Sequence, residues 1–214
     1  MLRSILSESQ VNQVTLVGTL INDAFTFQSG TKSLRIRTYN ASGKKYQYHH
    51  VHTRGSNVIK AGQRVHVSGK LRSIPFEIEN QKKREQTSVM AYRIFVFDNN
   101  RDDSKNTAMV DINRIHIVAN VAFVVKFTGS VHIFRIATHF EHRTDDGSVN
   151  GMNFHEVFVF DEHLKKNSEN LKTGDKVAIQ GELRSRTHTL SDGKKKYSGF
   201  IVAKRMEKVQ REAQ

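Results

Sequence analysis

Histidines and basic runs are the residues in this sequence whose types and spacing could carry out chemistry. The run His49-His50-x-His52 would place His50 and His52 on one face of a strand, but a zinc site needs further ligands, and none occurs at a fixed spacing. The chain has no cysteine, no phosphate-binding P-loop and no nucleophile-elbow motif. An enzyme is therefore not expected, and neither is a metal or another cofactor.

The basic residues favour binding to a polyanion. Lys and Arg number 34 against 21 Asp and Glu, which gives a formal charge of +13 and indicates nucleic acid first and acidic lipid surfaces second. Residues 1–100 carry a net charge of +9 and residues 101–214 a net charge of +4. No stretch approaches the roughly 18 consecutive apolar residues of a membrane helix, so no membrane span is expected. Neither a membrane nor a small-molecule substrate is among the expected partners.

The chain repeats itself, which defines its domains. The block KAGQRVHVSGKLRS at residues 60–73 returns as KTGDKVAIQGELRS at residues 172–185. Two shorter blocks recur in the same order, residues 11–17 as 112–118 and residues 48–51 as 154–157. This predicts a duplication with a first domain at 1–100, a polar linker at 101–110 and a second domain at 111–214.

Each half has the hydrophobic pattern of a β domain. Val65, Val67, Gly69 and Leu71 alternate with polar residues, as strands with one buried face do. One short helix per half is predicted, around Ser56–Lys60 and at Asp161–Leu171, each followed closely by a glycine. Three strands, a helix and two strands is the order of the OB-fold. The predicted fold class is all-β, with two tandem five-stranded OB barrels.

These blocks resemble the single-stranded DNA-binding protein (SSB) family of bacteria and mitochondria. Residues 12–18 (NQVTLVG) are close to the family's opening strand, and Tyr48-His49-His50-Val51 and Phe154-His155-Glu156-Val157 stand where the family has W-H-x-V. The segment K-x-G-x-x-V-x-x-x-G-x-L-R-[ST] matches in both halves. The resemblance implies sequence-independent binding and protection of single-stranded DNA in replication, repair and recombination, by base stacking and by pairing of phosphates with Lys and Arg.

The resemblance also implies which residues meet the nucleic acid. The family's stacking positions fall on Tyr48, Phe76, Phe154, Phe160, His142 and His188, and on Arg54, whose guanidinium plane can also stack. Strand arginines that would line the groove are Arg35, Arg37, Arg72, Arg135 and Arg184, and loop cations that would pair with phosphates are Lys82, Lys83, Arg84, Lys194, Lys195 and Lys196. His49 and His155 match a family histidine near subunit contacts, so we expect an interface role for them.

The sequence departs from the family in two ways. It has no tryptophan, so each platform is Tyr, Phe, His or Arg, and it ends in a basic segment where the family has an acidic tail that recruits replication proteins. Single-domain relatives assemble four barrels, so two barrels per chain predict a homodimer with the first strands as the contact. The expected location is mitochondrial, with the bacterial cytoplasm or nucleoid as the alternative.

Two other functions remain open from the sequence. One is an RNA-binding OB-fold subunit of a ribonucleoprotein assembly, such as an organellar ribosome or an RNA-processing complex, in which a basic docking module without tryptophan would be natural. The other is a scaffold that binds only protein. If the chain binds single-stranded DNA, the higher charge of residues 1–100 predicts that the two halves are not equivalent binders.

Overall fold

The computed structural model describes residues 10–40, 44–54, 58–78, 82–97, 110–128, 130–144, 147–189, 193 and 195–209. The strands of the first half are β1 (Val11–Leu20), β2 (Phe25–Thr26), β3 (Lys32–Asn40), β4 (Lys45–Thr53), β5 (Arg64–Ile78) and β6 (Lys82–Val96). The second half has β7 (Ile112–Thr128), β8 (Val131–Thr144), β9 (Gly147–Val159), helix α1 (Glu162–Glu169), β10 (Lys176–Thr189) and β11 (Lys195–Lys208).

Five strands of the first half close into a barrel. β1 pairs with β5, β5 with β6, β6 with β4 in parallel, β4 with β3, and β3 with the end of β1 at Leu20. The alternating apolar residues point inward, with Val65, Val67 and Leu71 at most 1% exposed. We call these five strands the first barrel. The predicted all-β class and OB strand order are confirmed.

The second half repeats these pairings. β7 pairs with β10 and β8, β10 with β11, β11 with β9 in parallel, and β9 with β8, a circuit that we call the second barrel. Helix α1 lies between β9 and β10, where a helix was predicted, and the Asp161 carboxylate caps it by accepting from the backbone N–H groups of His163 and Leu164. In the part of the chain that the structure describes, no helix has the length and apolar character needed to cross a membrane.

The short helix predicted near Ser56–Lys60 is not found in the described residues. Residues 58–60 are not helical, and residues 55–57, including Ser56, lie outside the described part of the chain. Only ten residues separate the end of β4 from the start of β5, against sixteen between β9 and β10, so there is little room for a helix of even two turns. Both connections end in the same turn, with Gly62 at φ 83° and Gly174 at φ 91°, values that favour glycine.

An asparagine side chain ties together two repeat blocks in each barrel. The Asn12 amide donates to the Leu71 carbonyl oxygen at 3.0 Å and accepts from the Leu71 N–H at 2.8 Å. Asn113 makes the same two bonds to Leu183, at 2.8 and 2.9 Å. A half-buried amide that satisfies both backbone groups of one residue fixes the start of the first strand against the partner strand. The recurrence of N-x-[VI] and G-x-L in both halves therefore has a common structural reason.

The first strands of the two halves pair with each other. β1 and β7 run antiparallel over seven residue pairs, from Val11 opposite Val118 to Val17 opposite Ile112. Val14 and Ile115, which are equivalent in the repeat, face each other at the centre, so the two halves are related by a local twofold axis. The sequence predicted these strands as a contact to another copy. Within this chain they are already used, because an unpaired strand edge needs a partner.

The two halves also make reciprocal contacts beyond this strand pair. The Tyr39 N–H donates to Asp111 Oδ2 at 2.6 Å, and the His139 N–H donates to Gln10 Oε1 at 2.7 Å, in equivalent positions of the repeat. Ser73 on β5 donates its N–H to Asn153 Oδ1 of the second barrel at 3.0 Å. Conversely, the β11 strand packs on the outside of β6, where a Cβ on Gly199 would lie 2.9 Å from the Thr87 carbonyl oxygen. Each barrel thus carries part of the other's surface.

His49 and His155 are buried inside their own barrels. Both are 1% exposed, and their Nε2 atoms lie within hydrogen-bonding distance of Thr38 Oγ1 (2.8 Å) and Thr138 Oγ1 (3.1 Å). Burial lowers the pKa of His49 to about 3, with a smaller contribution from His50, and burial lowers the pKa of His155 to about 4. Both imidazoles are buried within this chain, and the interface role expected for them from the sequence stays a prediction.

The two buried histidines predict a loss of stability in acid. Below about pH 6.5 the unfolded chain takes up protons on these imidazoles while the folded chain does not, so the free energy of unfolding falls as the pH falls. Each histidine should cost about 2 kcal/mol between pH 7 and pH 5. Urea unfolding at both pH values checks this, with His155→Gln as the variant, because its amide can still reach Thr138. An equally large decrease in the variant would contradict the assignment.

Candidate nucleic-acid interface

A row of basic and aromatic side chains covers the outside of β3 and β4. Leu34, Ile36 and Val51 point into the barrel and are at most 1% exposed, so the alternate residues of both strands point outward. Register then sets Arg35 opposite His50, Arg37 opposite Tyr48 and Tyr39 opposite Tyr46. We call these six residues the β3–β4 face. None of its positions is acidic.

The arginines of this face lie over aromatic rings. The Arg37 guanidinium carbon is 4.5 Å from the Tyr46 ring centroid, and the Arg35 guanidinium carbon is 5.0 Å from that of Tyr48. Cation–π contact holds each guanidinium flat while its N–H groups stay able to donate to other acceptors. Tyr39 and Tyr46, whose rings are 5.3 Å apart, are 44% and 51% exposed, so part of their surface is open to a ligand.

Tyr197 joins this face from the other half of the chain. It lies on β11, its ring centroid is 4.7 Å from the Arg35 guanidinium carbon, and its ring is 5.6 Å from that of His50. Arg35 therefore contacts two tyrosines, Tyr48 of its own barrel and Tyr197 of the second. Sequence reasoning missed Tyr197, although it directly follows the predicted basic run 194–196, because only the packing of β11 against the first barrel brings it here.

The charge on the face is uncompensated within the described residues. Arg35 and Arg37 make no ion pair there, and both nearby histidines have lowered pKa values. The pKa of His50 is lowered by burial, by Arg35 and by His52, and that of His52 by burial and by Arg72. Positive groups crowded without a counter-ion, beside accessible rings, form a surface that would attract phosphates and stack bases.

The equivalent face of the second barrel has different chemistry. Where the first barrel has Tyr48 opposite Arg37, the second barrel has Phe154 opposite Ala137. Where the first barrel has His50 opposite Arg35, the second barrel has Glu156 opposite Arg135. Glu156 forms ion pairs with Arg135 at 3.1 Å and with Arg186. The positive charge of these arginines is therefore compensated within the protein, unlike that of Arg35 and Arg37.

Phenylalanines make up most of the remaining second-barrel face. The Phe158 ring centroid lies 4.5 Å from that of Phe200 and 6.2 Å from that of Phe160, and Phe160 is 49% exposed. Of the stacking residues expected here, Phe160 therefore has an open ring surface, and Phe154 is half-buried. The two barrels share a backbone plan and differ in what they present to solvent.

Three other predicted arginines lie away from these two faces or have partners. Arg54 is exposed at the end of β4 and lines a cavity of about 490 Å³ together with Tyr92 and Arg93. The Arg72 guanidinium carbon lies 5.6 Å from the Phe140 ring, so it packs on the second barrel. Arg184 pairs with Glu182 at 3.2 Å. The structure thus does not collect the predicted arginines into a single groove.

The side chains of the remaining predicted residues lie outside the described part of the structure. The backbones of Phe76, His142 and His188 lie on β5, β8 and β10. Strand β6 begins with Lys82, Lys83 and Arg84, and strand β11 begins with Lys195 and Lys196. The backbones of these residues therefore lie on strands and not in loops. Lys194 is outside the described residues altogether. A nucleic-acid role for all of them stays a prediction.

A closed barrel of this strand order is an OB-fold, and one of its outer faces is basic and aromatic. Residues 112–209 match the model of the Single-strand binding protein family. No curated protein sequence matches the chain.

Solved structures resemble both halves together. The wild-type single-stranded DNA binding protein from Thermus aquaticus aligns with a TM-score of 0.64 and 19% identity, over 96% of this chain and 96% of that chain. A deletion mutant of that protein aligns with a TM-score of 0.63 and 20% identity, over 96% of this chain and 97% of that chain. A small single-stranded DNA-binding protein from Streptomyces coelicolor covers 45% of this chain and 93% of its own, at 27% identity and a TM-score of 0.35. The Thermus comparisons establish the fold.

The electrostatics of the β3–β4 face can be tested without a ligand. Replacing Arg35 by Ala removes one of the causes that lower the pKa of His50, so that pKa should rise towards 6.5. Arg37→Ala is the matched control, because Arg37 is not among the causes. NMR titration of the histidine ring protons measures both variants. An unchanged His50 pKa in Arg35→Ala would show that the two side chains do not interact as the structure places them.

Proposed function

We propose that this protein binds single-stranded DNA without sequence preference and coats it during replication, repair or recombination. The observation that carries the proposal is the β3–β4 face, with exposed tyrosine rings and two arginines that have no acidic partner among the described residues. Stacking on rings tolerates any base, because every base has a π-face. Such a protein would act in a mitochondrion or in the bacterial cytoplasm or nucleoid.

The chemistry of binding follows from the side chains on the face. Bases would stack on Tyr46 and Tyr48, while Arg35 and Arg37 donate to phosphate oxygens. The guanidiniums are held over rings, so less side-chain entropy is lost when they bind a phosphate. Strand binding would release counterions and weaken steeply with salt. This chemistry involves no bond making or breaking in the ligand, so the proposal is for a binding protein.

The two barrels should contribute unequally to binding. On the second-barrel face, Glu156 places a negative charge beside Phe154 and compensates Arg135 and Arg186. Arginines that are already paired with Glu156 offer less charge to a phosphate than the unpaired Arg35 and Arg37 do. We therefore assign most of the affinity to the first barrel, even though the match to the family model lies in the second.

Alanine substitution in the full chain tests this assignment. Tyr48→Ala should weaken binding of a dT oligomer by about 1–3 kcal/mol, or about 5- to 150-fold, since a stacking ring is lost. Phe154→Ala should weaken it less than about fivefold. Fluorescence anisotropy across about 50 to 200 mM salt measures both, with Lys166→Ala on helix α1 as an exposed control. Equal losses for Tyr48 and Phe154 would contradict the unequal roles.

The same titration with an rU oligomer separates the DNA and RNA functions. Tighter binding of dT supports the proposed function, whereas tighter binding of rU favours the RNA-binding subunit of a ribonucleoprotein assembly. Absence of salt-dependent binding to either oligomer would leave the scaffold function and overturn the proposal.

We also propose that two copies associate to bring four barrels together. The β1 and β7 edges already pair within the chain, so a second copy must use another surface. Tyr92 and Phe95 on β6 are 66% and 55% exposed, and covering such rings contributes hydrophobic free energy. Sedimentation equilibrium should give twice the chain mass of 24.5 kDa, and Phe95→Ser should shift the measured mass towards that of a single chain. A single-chain mass for the wild type at every concentration would overturn this.

A further inference from the structure

A groove between the two barrels adjoins the β3–β4 face. Its volume is about 760 Å³, and Arg37, Tyr39 and Tyr46 line it from that face. From the junction of the barrels it is lined by Arg64, Asp111 and Arg114, the last on β7 of the second barrel. Three residues thus belong to both surfaces, so a ligand on the face reaches the groove without crossing another element. The groove exists only because β1 and β7 pair.

The carboxylates that line the groove are already neutralised. Asp111 lies 2.7 Å from Arg64 and accepts the Tyr39 N–H at 2.6 Å. Glu182 has three partners, Arg184 at 3.2 Å, Lys204 at 3.6 Å and the Asn40 amide at 3.2 Å. Neither acid is therefore left to repel an anion.

Two cations that line the groove have no such partner. Within the described residues, Arg37 and Arg114 make no ion pair. Arg114 is exposed, and its opposite residue on β1 is the uncharged Thr15. The uncompensated charge of the groove is thus positive, and it comes from one arginine on the β3–β4 face and one on the second barrel.

We propose that a bound single strand leaves the β3–β4 face at Tyr46, runs through this groove and pairs a backbone phosphate with Arg114 of the second barrel. This inference rests on the proposed function, and it adds the path that the bound strand follows across the protein. The ligand class is the phosphodiester backbone of a single-stranded nucleic acid. Because the route needs a strand longer than the face, Arg114 contributes only to long strands. The alternative route leaves the face at the other end of β4, past His52.

Oligomer length separates the two routes. Full-chain protein is titrated with dT oligomers of about 8 nucleotides, within the site size of one OB-fold, and of about 30, near the upper range for two. Arg114→Ala should bind the short oligomer as the wild type does. For the long oligomer, binding should weaken about fivefold at about 0.1 M salt and the salt slope should fall by about 0.7, the counterion contribution of one phosphate. Arg114→Lys should restore both values.

The controls distinguish failure of the route from failure of the function. Arg37→Ala, on the β3–β4 face itself, should weaken binding of both oligomers. Lys166→Ala should weaken binding of neither oligomer. If Arg37→Ala weakens binding and Arg114→Ala matches the wild type at both lengths, the strand does not cross the groove and the inference is overturned. If the wild type binds neither oligomer, the proposed function itself fails. Since Arg114 is exposed, thermal unfolding of both of its variants should match that of the wild type.

Discussion

Pairing of β1 with β7 is the interaction on which the rest of the molecule depends. The end of β1 closes its barrel against β3, which leaves Val11–Val17 as an edge with unpaired N–H and C=O groups. The repeat supplies an equivalent edge on β7, and the two edges satisfy each other's backbone groups about a local twofold axis. This pairing sets the barrels side by side, lays β11 on the first barrel, and creates the groove that joins the two surfaces.

Duplication conserved the backbone and let the surfaces diverge. The Asn12 and Asn113 clamps, the turns at Gly62 and Gly174 and the buried His49 and His155 recur because they hold the barrel together. Solvent-facing positions have no such constraint. The second barrel has Ala137 at the position equivalent to Arg37 and Glu156 at the position equivalent to His50, so its face is neutral where that of the first barrel is positive. Two barrels built on one backbone plan thus present outer faces of different charge.

The fold could largely be predicted from the sequence because period-two alternation and repeated blocks report directly on burial. Val65, Val67 and Leu71 are buried as their pattern indicates. Tyr48 was singled out through the resemblance alone; the structure sets it opposite Arg37, and its stacking role stays a prediction. The contribution of Tyr197 and the groove at Arg114 could not be predicted, because both depend on packing between halves. The burial of His49 and His155 could not be predicted for a related reason, because it depends on each ring meeting a threonine across the strand pair.

Photochemical cross-linking would test the central claim most directly, that the first barrel's β3–β4 face is where a strand binds. A dT oligomer carrying 5-bromouracil is irradiated with the full chain, and the linked peptides are identified by mass spectrometry. The structure predicts links to the peptides that carry Tyr46, Tyr48 and Tyr197, lost when Arg35 and Arg37 are both replaced by Ala. Links confined to the peptide of Phe158 and Phe160 would place the strand on the second barrel and contradict the account.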